Sequence, residues 1–266
     1  MIYVVAHKMF TPPPDLDESY RTIFVGDRVR EETKKNGFLV DSNGDSISDK
    51  NPYYCELTAL YWIWKNDMSN DWIGLNHYRR YFISSDTSKI LTRDEVENLL
   101  QSHDVVLWNK ISWNESVERA YYRGAGYKKD ILILKKYMKQ LYPDYMDALE
   151  EVLNGKSASY ANMFIMKRQL FNGYCEWLFR VLFAIEGEVD MTGYTVQEKR
   201  IYGYLGEILL NVWIKKNGLN TAYCTAINTE VSTPSWKDIA RINIKNAAKR
   251  IIYFPSGIKY KRLYKR

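Results

Sequence analysis

Asp71-Trp-Ile-Gly-Leu-Asn-His-Tyr-Arg-Arg-Tyr-Phe82 is the stretch on which the reading of this 266-residue chain turns. Trp72, Ile73, Gly74 and Leu75 form a short apolar run with strand character. Asn76, His77, Tyr78, Arg79 and Arg80 then bring an amide, an imidazole, a phenol and two guanidiniums to its end. In open α/β sheets, ligands bind at the ends of such strands. Two adjacent arginines suit bidentate recognition of phosphate or carboxylate, and burying them without a counter-anion is costly. The competing reading is a solvated turn with surface arginines, and the residues alone leave both open.

Working outward, Ile2–Ala6 reads as a buried first strand with His7 and Lys8 at its end. The run Thr11-Pro-Pro-Pro14 forces an extended loop. Asp15-Leu-Asp17 has the Asp-x-Asp spelling of a metal motif, but its place beside the proline run makes it a loop. Val40–Asp45 is a turn by composition and lacks the trailing glutamate of a calcium loop. Leu57, Leu60, Tyr61 and Trp64 give a helical stripe over residues 53–65, with Asn51 at its start. Glu56 and Thr58 fall in its first turns, where they either cap the helix or face a ligand.

Beyond the central stretch, Thr92-Arg-Asp-Glu95 is a capping box, and Asp104–Trp108 is a second short strand. Residues 114–153 read as helical, interrupted at Tyr142-Pro143. Tyr160–Lys167 is an apolar strand with Asn162 near its start. The helix over 168–187 has Leu170, Cys175, Leu178, Leu182 and Phe183 as its core face. Arg200 and Glu207 are two helical turns apart and so share a face. Either they are an ion pair, or Glu207 is a general base that Arg200 orients, with Glu198 as the second candidate base. The order of elements predicts an open mixed α/β sheet flanked by helices.

Apolar residues at 46% exclude a disordered chain. The 22 tyrosines and 8 tryptophans suit sugar stacking and a filled core equally, so they carry no functional weight. Cys55, Cys175 and Cys224 are too widely spaced for a zinc site or a disulfide framework. Cys55 and Cys175 read as core, in a reducing cytoplasm. The first residues lack the features of a signal peptide, and no apolar run reaches membrane-spanning length. Residues 237–266 hold ten Lys/Arg and one Asp, a net of +9 in a chain of +6, which leaves −3 for residues 1–236. Ile239, Ile242, Ile251 and Ile252 recur there at helical spacing. That tail reads as a basic amphipathic membrane-surface helix or as a solvated or protein-bound charged segment. An acidic body without a reader motif argues against nucleic acid.

The central stretch resembles the signature of a bacterial family of capsular and exopolysaccharide glycosyltransferases, often described as galactofuranosyltransferases. Asn51-Pro-Tyr-Tyr-Cys-Glu-Leu-Thr-Ala-Leu-Tyr-Trp62, Asn162-Met-Phe-Ile-Met-Lys167 with Tyr174-Cys-Glu-Trp177, and Arg200-Ile-Tyr-Gly-Tyr-Leu-Gly-Glu207 fit the same family in order. The resemblance implies a GT-A-like domain over residues 1–234 and a membrane-associating segment over 235–266. It implies transfer of a hexose, galactofuranose in particular, from a nucleoside diphosphate sugar, with UDP as the expected nucleotide. The acceptor would be a lipid-linked capsular, exopolysaccharide or O-antigen intermediate at the inner face of the cell membrane.

By the same resemblance Asn162 holds the donor sugar, and the donor site comprises His7, Asn51, Glu56, Asn76, His77, Tyr78, Arg79, Arg80 and Asn162. Comparable folds place a metal-binding carboxylate pair after a central strand, where this chain has Asn76–Arg80. The expectation is therefore no metal ligand, with Mn²⁺ or Mg²⁺ dispensable. Family members carry histidines around Ala120–Tyr127, a segment that shapes the acceptor pocket, and this chain has none there. That departure supports an alternative, a non-catalytic sugar-nucleotide or glycan-binding subunit of a polysaccharide assembly complex.

Overall fold

The computed structural model describes residues 1–26, 33 and 37–230. The expected membrane-associating tail at 235–266 lies outside the described residues. Strand β1 (Ile2–Ala6) pairs in parallel with β2 (Tyr20–Phe24) on one side and with β3 (Trp72–His77) on the other. Between β2 and β3 the chain forms helices α1 (Asn51–Tyr54) and α2 (Leu57–Asn66). The helix expected over 53–65 is thus broken at Cys55, whose φ of 55° is left-handed and cannot continue a right-handed helix. Strand β4 (Arg80–Ile83) returns from β3 after only Tyr78 and Arg79.

The following elements are α3 (Arg93–Ser102), β5 (Val105–Trp108), β6 (Ile111–Ser112), α4 (Val117–Gly124), α5 (Lys128–Leu141) and α6 (Met146–Asn154). Then come β7 (Ser157–Ala158), β8 (Phe164–Lys167), α7 (Arg168–Glu186), α8 (Ile201–Lys216) and β9 (Thr221–Asn228). Helix α3 opens with the expected capping box, in which the Thr92 side chain accepts from Glu95 N–H and the Glu95 side chain accepts from Thr92 N–H. The Asp15–Asp17 loop is tied into the fold, with the Asp17 carboxylate accepting from the backbone of Ser19 and Arg93.

The seven-stranded sheet is mixed, as expected, but it is not simply open. Strand β3 pairs antiparallel with β8, β8 with β5, β5 in parallel with β9, and β9 antiparallel with β4. The hairpin then rejoins β4 to β3 through the single pair His77–Arg80, so five strands close a circuit. The two-residue hairpin causes this, because it holds β4 beside the end of β3.

Gly74 lies where β1, β3 and β8 crowd together. A Cβ there would meet Ile2 Cγ1 at 2.8 Å and Ile165 Cγ1 at 3.0 Å. One sheet face packs Tyr3, Leu75, Leu107 and Phe164 against α2, α5, α7 and α8, and the other packs Ile2, Val106 and Ile165 under α3. Helix α7 buries Phe171, Cys175, Leu178 and Leu182, while Phe183, expected in the core, is 38% exposed.

Candidate functional site

The carboxyl ends of β1, β3 and β5 meet the amino ends of β4 and β8 at one rim of the sheet. The central motif spans this rim as a hairpin, and strand alternation sends Asn76 and His77 to opposite faces. Asn76 is fully buried and neither of its amide atoms has a protein partner among the described residues. Tyr78 is buried against Val4, Ala6 and Phe24.

The inner side of the rim is built around the turn before β8. Ala161 (φ 67°) and Asn162 (φ 49°) are both left-handed. For a residue with a Cβ that conformation costs about 1–2 kcal/mol, least for asparagine. It points the Ala161 backbone in two useful directions. The Ala161 carbonyl meets His77 Nε2 at 2.6 Å, and the Ala161 N–H donates to Glu207 Oε1 at 2.8 Å. A carbonyl accepts only, so Nε2 carries the proton and Nδ1 is left as an acceptor. Burial, with Arg80 and Arg79 nearby, lowers the His77 pKa against the pull of Glu56 and favours this neutral tautomer.

Asn162 is 1% exposed. It donates from Nδ2 to Glu56 Oε1 at 2.7 Å and to the Gly203 carbonyl at 3.1 Å. Gly203 and Gly206 let α8 approach this closely. A Cβ on the first would meet Cys55 Sγ at 3.1 Å, and on the second Leu57 Cδ1 at 2.8 Å and Asn162 Oδ1 at 3.2 Å. Both glycines stand in the Arg200–Glu207 motif, yet their spacing alone does not say what they approach. The Glu207 pKa is pushed up to about 8 by burial and by the like charge of Glu56, against the Ala161 N–H, Arg80 and Arg200.

The two arginines of the motif part company. Arg79 ion-pairs with Glu230 at 3.0 Å, and Lys8 binds the same carboxylate at 2.7 Å. Arg80 has its guanidinium 5.7 Å from the Trp108 ring centre and makes no ion pair or hydrogen bond among the described residues. Burial and Arg79 act against its charge, while Glu207 and Glu56 favour it. Arg80 is the half-buried cation facing the two glutamates.

One expectation needs correction, that of Cys55 as plain core. Arg200 stands just before the first turn of α8, where its Nε donates to Cys55 Sγ at 3.0 Å, and its charge acts on Glu207. Cys55 is accordingly not plain core; it sits at the α1–α2 break, and burial holds its thiol up at about 12. Glu198 is held by its neighbours. It accepts from Thr195 N–H at 2.8 Å and from Tyr127 O–H at 2.9 Å. The remaining residues of the expected set stand further out. His7 stacks edge-on to Tyr78, and Asn51 Nδ2 donates to the Cys55 carbonyl and Thr58 Oγ1 around the helix break.

The Ala120–Tyr127 segment borders this region through Tyr127, and Tyr121 and Tyr194 both donate to buried Asp130. Two open surface clefts of about 510 Å³ lie elsewhere, one lined by Trp72, Glu97 and Arg168 and the other by Tyr53, Glu186 and Lys199. Among the described residues, no group of three or more His, Cys, Asp or Glu side chains is placed to hold a metal ion. No described helix is long and apolar enough to cross a membrane.

The fold is that of a glycosyltransferase-related structure. The chain is similar to the apo structure of WbbM, a bifunctional glycosyltransferase, with a TM-score of 0.74 and 29% sequence identity over 85% of this chain. The match covers 45% of that protein, so this chain corresponds to under half of it. The chain belongs to the family described as a domain of unknown function, DUF4422, whose model matches residues 1–218. No curated protein matches it.

Proposed function

We propose that this chain is a GT-A-type glycosyltransferase domain that moves a hexose, galactofuranose in particular, from a UDP-linked donor to a lipid-linked glycan intermediate. The observation that carries this reading is Arg80: a half-buried arginine without an ion-pair partner among the described residues, facing Glu56 and Glu207 at the rim of a transferase-like fold. The donor diphosphate lies against Arg80, whose planar fork suits two phosphate oxygens. An acceptor hydroxyl oxygen attacks the anomeric carbon, and the bond from that carbon to the diphosphate oxygen breaks. The electron pair leaves with the diphosphate, towards the positive charge of Arg80. The hydroxyl proton passes to the carboxylate of Glu207, the general base.

With arginine and histidine at the place of the carboxylate pair, the reaction proceeds without Mn²⁺ or Mg²⁺. The basic segment at 235–266 holds the domain peripherally on the anionic inner face of the cell membrane.

The test is a thermal shift of the purified protein with UDP, GDP, CMP and ATP, each with Mn²⁺ and with EDTA, followed by turnover of UDP-sugars on glycan acceptors. A UDP shift that survives EDTA, together with glycosyl transfer, is the expected result. A shift that needs Mn²⁺ overturns the metal-independent part alone. Binding without turnover across the panel favours the non-catalytic subunit.

A further inference from the structure

The Ala161–Asn162 turn meets three titratable side chains from three different elements. Ala161 touches His77 of β3 through its carbonyl and Glu207 of α8 through its N–H. Asn162 touches Glu56, at the α1–α2 junction, through Nδ2. The second Nδ2 hydrogen goes to the Gly203 carbonyl, which fixes the amide against α8. With 1% exposure Asn162 presents almost no surface to a ligand, whereas Glu207 and His77 are only half-buried. A buried amide that spends both N–H groups on holding a carboxylate and a helix acts through those groups.

We propose that Asn162 is a positioning residue, which orients the Glu56 carboxylate beside Glu207 while the Ala161 peptide groups fix Glu207 and the His77 tautomer. Two left-handed residues in succession are retained because that backbone alone lets one turn serve Glu207, His77 and Glu56 together. Without Asn162, the Glu56 carboxylate loses the donor that holds it in place and swings away, and Glu207 loses the like charge beside it. The charged groups around Glu207 are Glu56, Arg80 on β4 and Arg200 before α8, with neutral His77 across the Ala161 peptide.

This inference deepens the transferase reading and rests on it for its meaning in catalysis, but its test does not need turnover. Asn162→Gly keeps the left-handed backbone without strain and removes only the amide. The full chain, carrying ¹³C-carboxyl glutamate, is titrated by NMR as wild type, N162G, E56Q and the double variant. The Glu207 midpoint, near 8 in the wild type, is expected to fall in N162G and in E56Q, with no further fall in the double variant. A midpoint that falls in E56Q and stays put in N162G overturns the proposal, as does full additivity in the double variant. If N162G does not fold, N162D replaces it; the Asp keeps the shape but sets a third carboxylate against Glu56, and a Glu207 midpoint equal to the wild type is then the refuting outcome. Where transfer is measurable, N162G should lower kcat at least tenfold with little change in donor KM, because the amide is not a donor contact. An absence of transfer by the wild type would sink the transferase reading and leave the titration result standing.

Discussion

Arg79 and Arg80 are neighbours in sequence and opposites in circumstance. Arg79 sits on an outer shelf with Lys8 over the Tyr78 ring, and both cations already share the carboxylate of Glu230. Arg80 lies on the inner side, beside Trp108 and facing Glu207 and Glu56, without an ion-pair or hydrogen-bond partner among the described residues. A cation paired within its own chain at the surface has little left to offer a ligand and contributes at most about 1 kcal/mol. A half-buried cation left unpaired is costly to the fold and is available to an anion. Identical side chains one position apart thus divide into a surface pin and a candidate ligand contact.

The contrast can be broken most directly at Arg80. R80A should abolish the UDP thermal shift and lower kcat/KM by about 10²–10³, or about 3–4 kcal/mol, without lowering Tm. R80K should recover only part of this, since a point charge does not replace the fork. A variant that binds UDP as the wild type does would end the distinction.

Gly74→Ala asks whether the packing of β3 is what separates the two arginines. Its Cβ would clash with Ile2 and Ile165, so unfolding should show a loss of about 1–3 kcal/mol.

Glu207→Gln sharpens the inner half. The folded-state pKa near 8 stands above the ordinary 4.5, so the wild type holds this proton more tightly when folded and loses stability as pH rises from about 4.5 to 8. E207Q should therefore melt higher than the wild type at pH 9, by the equivalent of about 2 kcal/mol after allowance for partial exposure, whereas at pH 4 the two should melt alike. The same variant should lose turnover, and wild-type turnover should rise with pH through about 8.

The smallest effects belong to the outer shelf. R79A and E230Q should each change stability at neutral pH by less than about 1 kcal/mol. Lys8 and Arg79 hold the Glu230 carboxyl down at about 2, so its contribution is present above about 4.5 and fades as pH falls through 2.

Local patterns disclosed most of the secondary structure. The apolar run of β1, the Thr92–Glu95 capping box, the break at Tyr142-Pro143 and the start of α7 after Lys167 all stand where the chain spells them. These features depend on neighbours within a few residues, which the sequence displays directly. The break at Cys55 was hidden, because its left-handed turn is imposed by α8 packing through Gly203 and by the contact with Arg200. The partners of Glu198 were hidden for a related reason: Thr195 stands in its own turn, but Tyr127 caps a helix 71 residues earlier.

By itself the sequence determined the class of fold, the rim at which the Trp72–Phe82 motif ends, and the residue types available there. Only the tertiary structure decided which arginine is spent on Glu230, which glutamates face Arg80, and that Asn162 lies behind Glu56. Periodicity and composition act through the chain's local geometry, whereas pairing and burial depend on residues 46 to 151 positions apart. The same guanidinium can be a pin or a ligand contact, and the fold chooses by supplying or withholding a carboxylate.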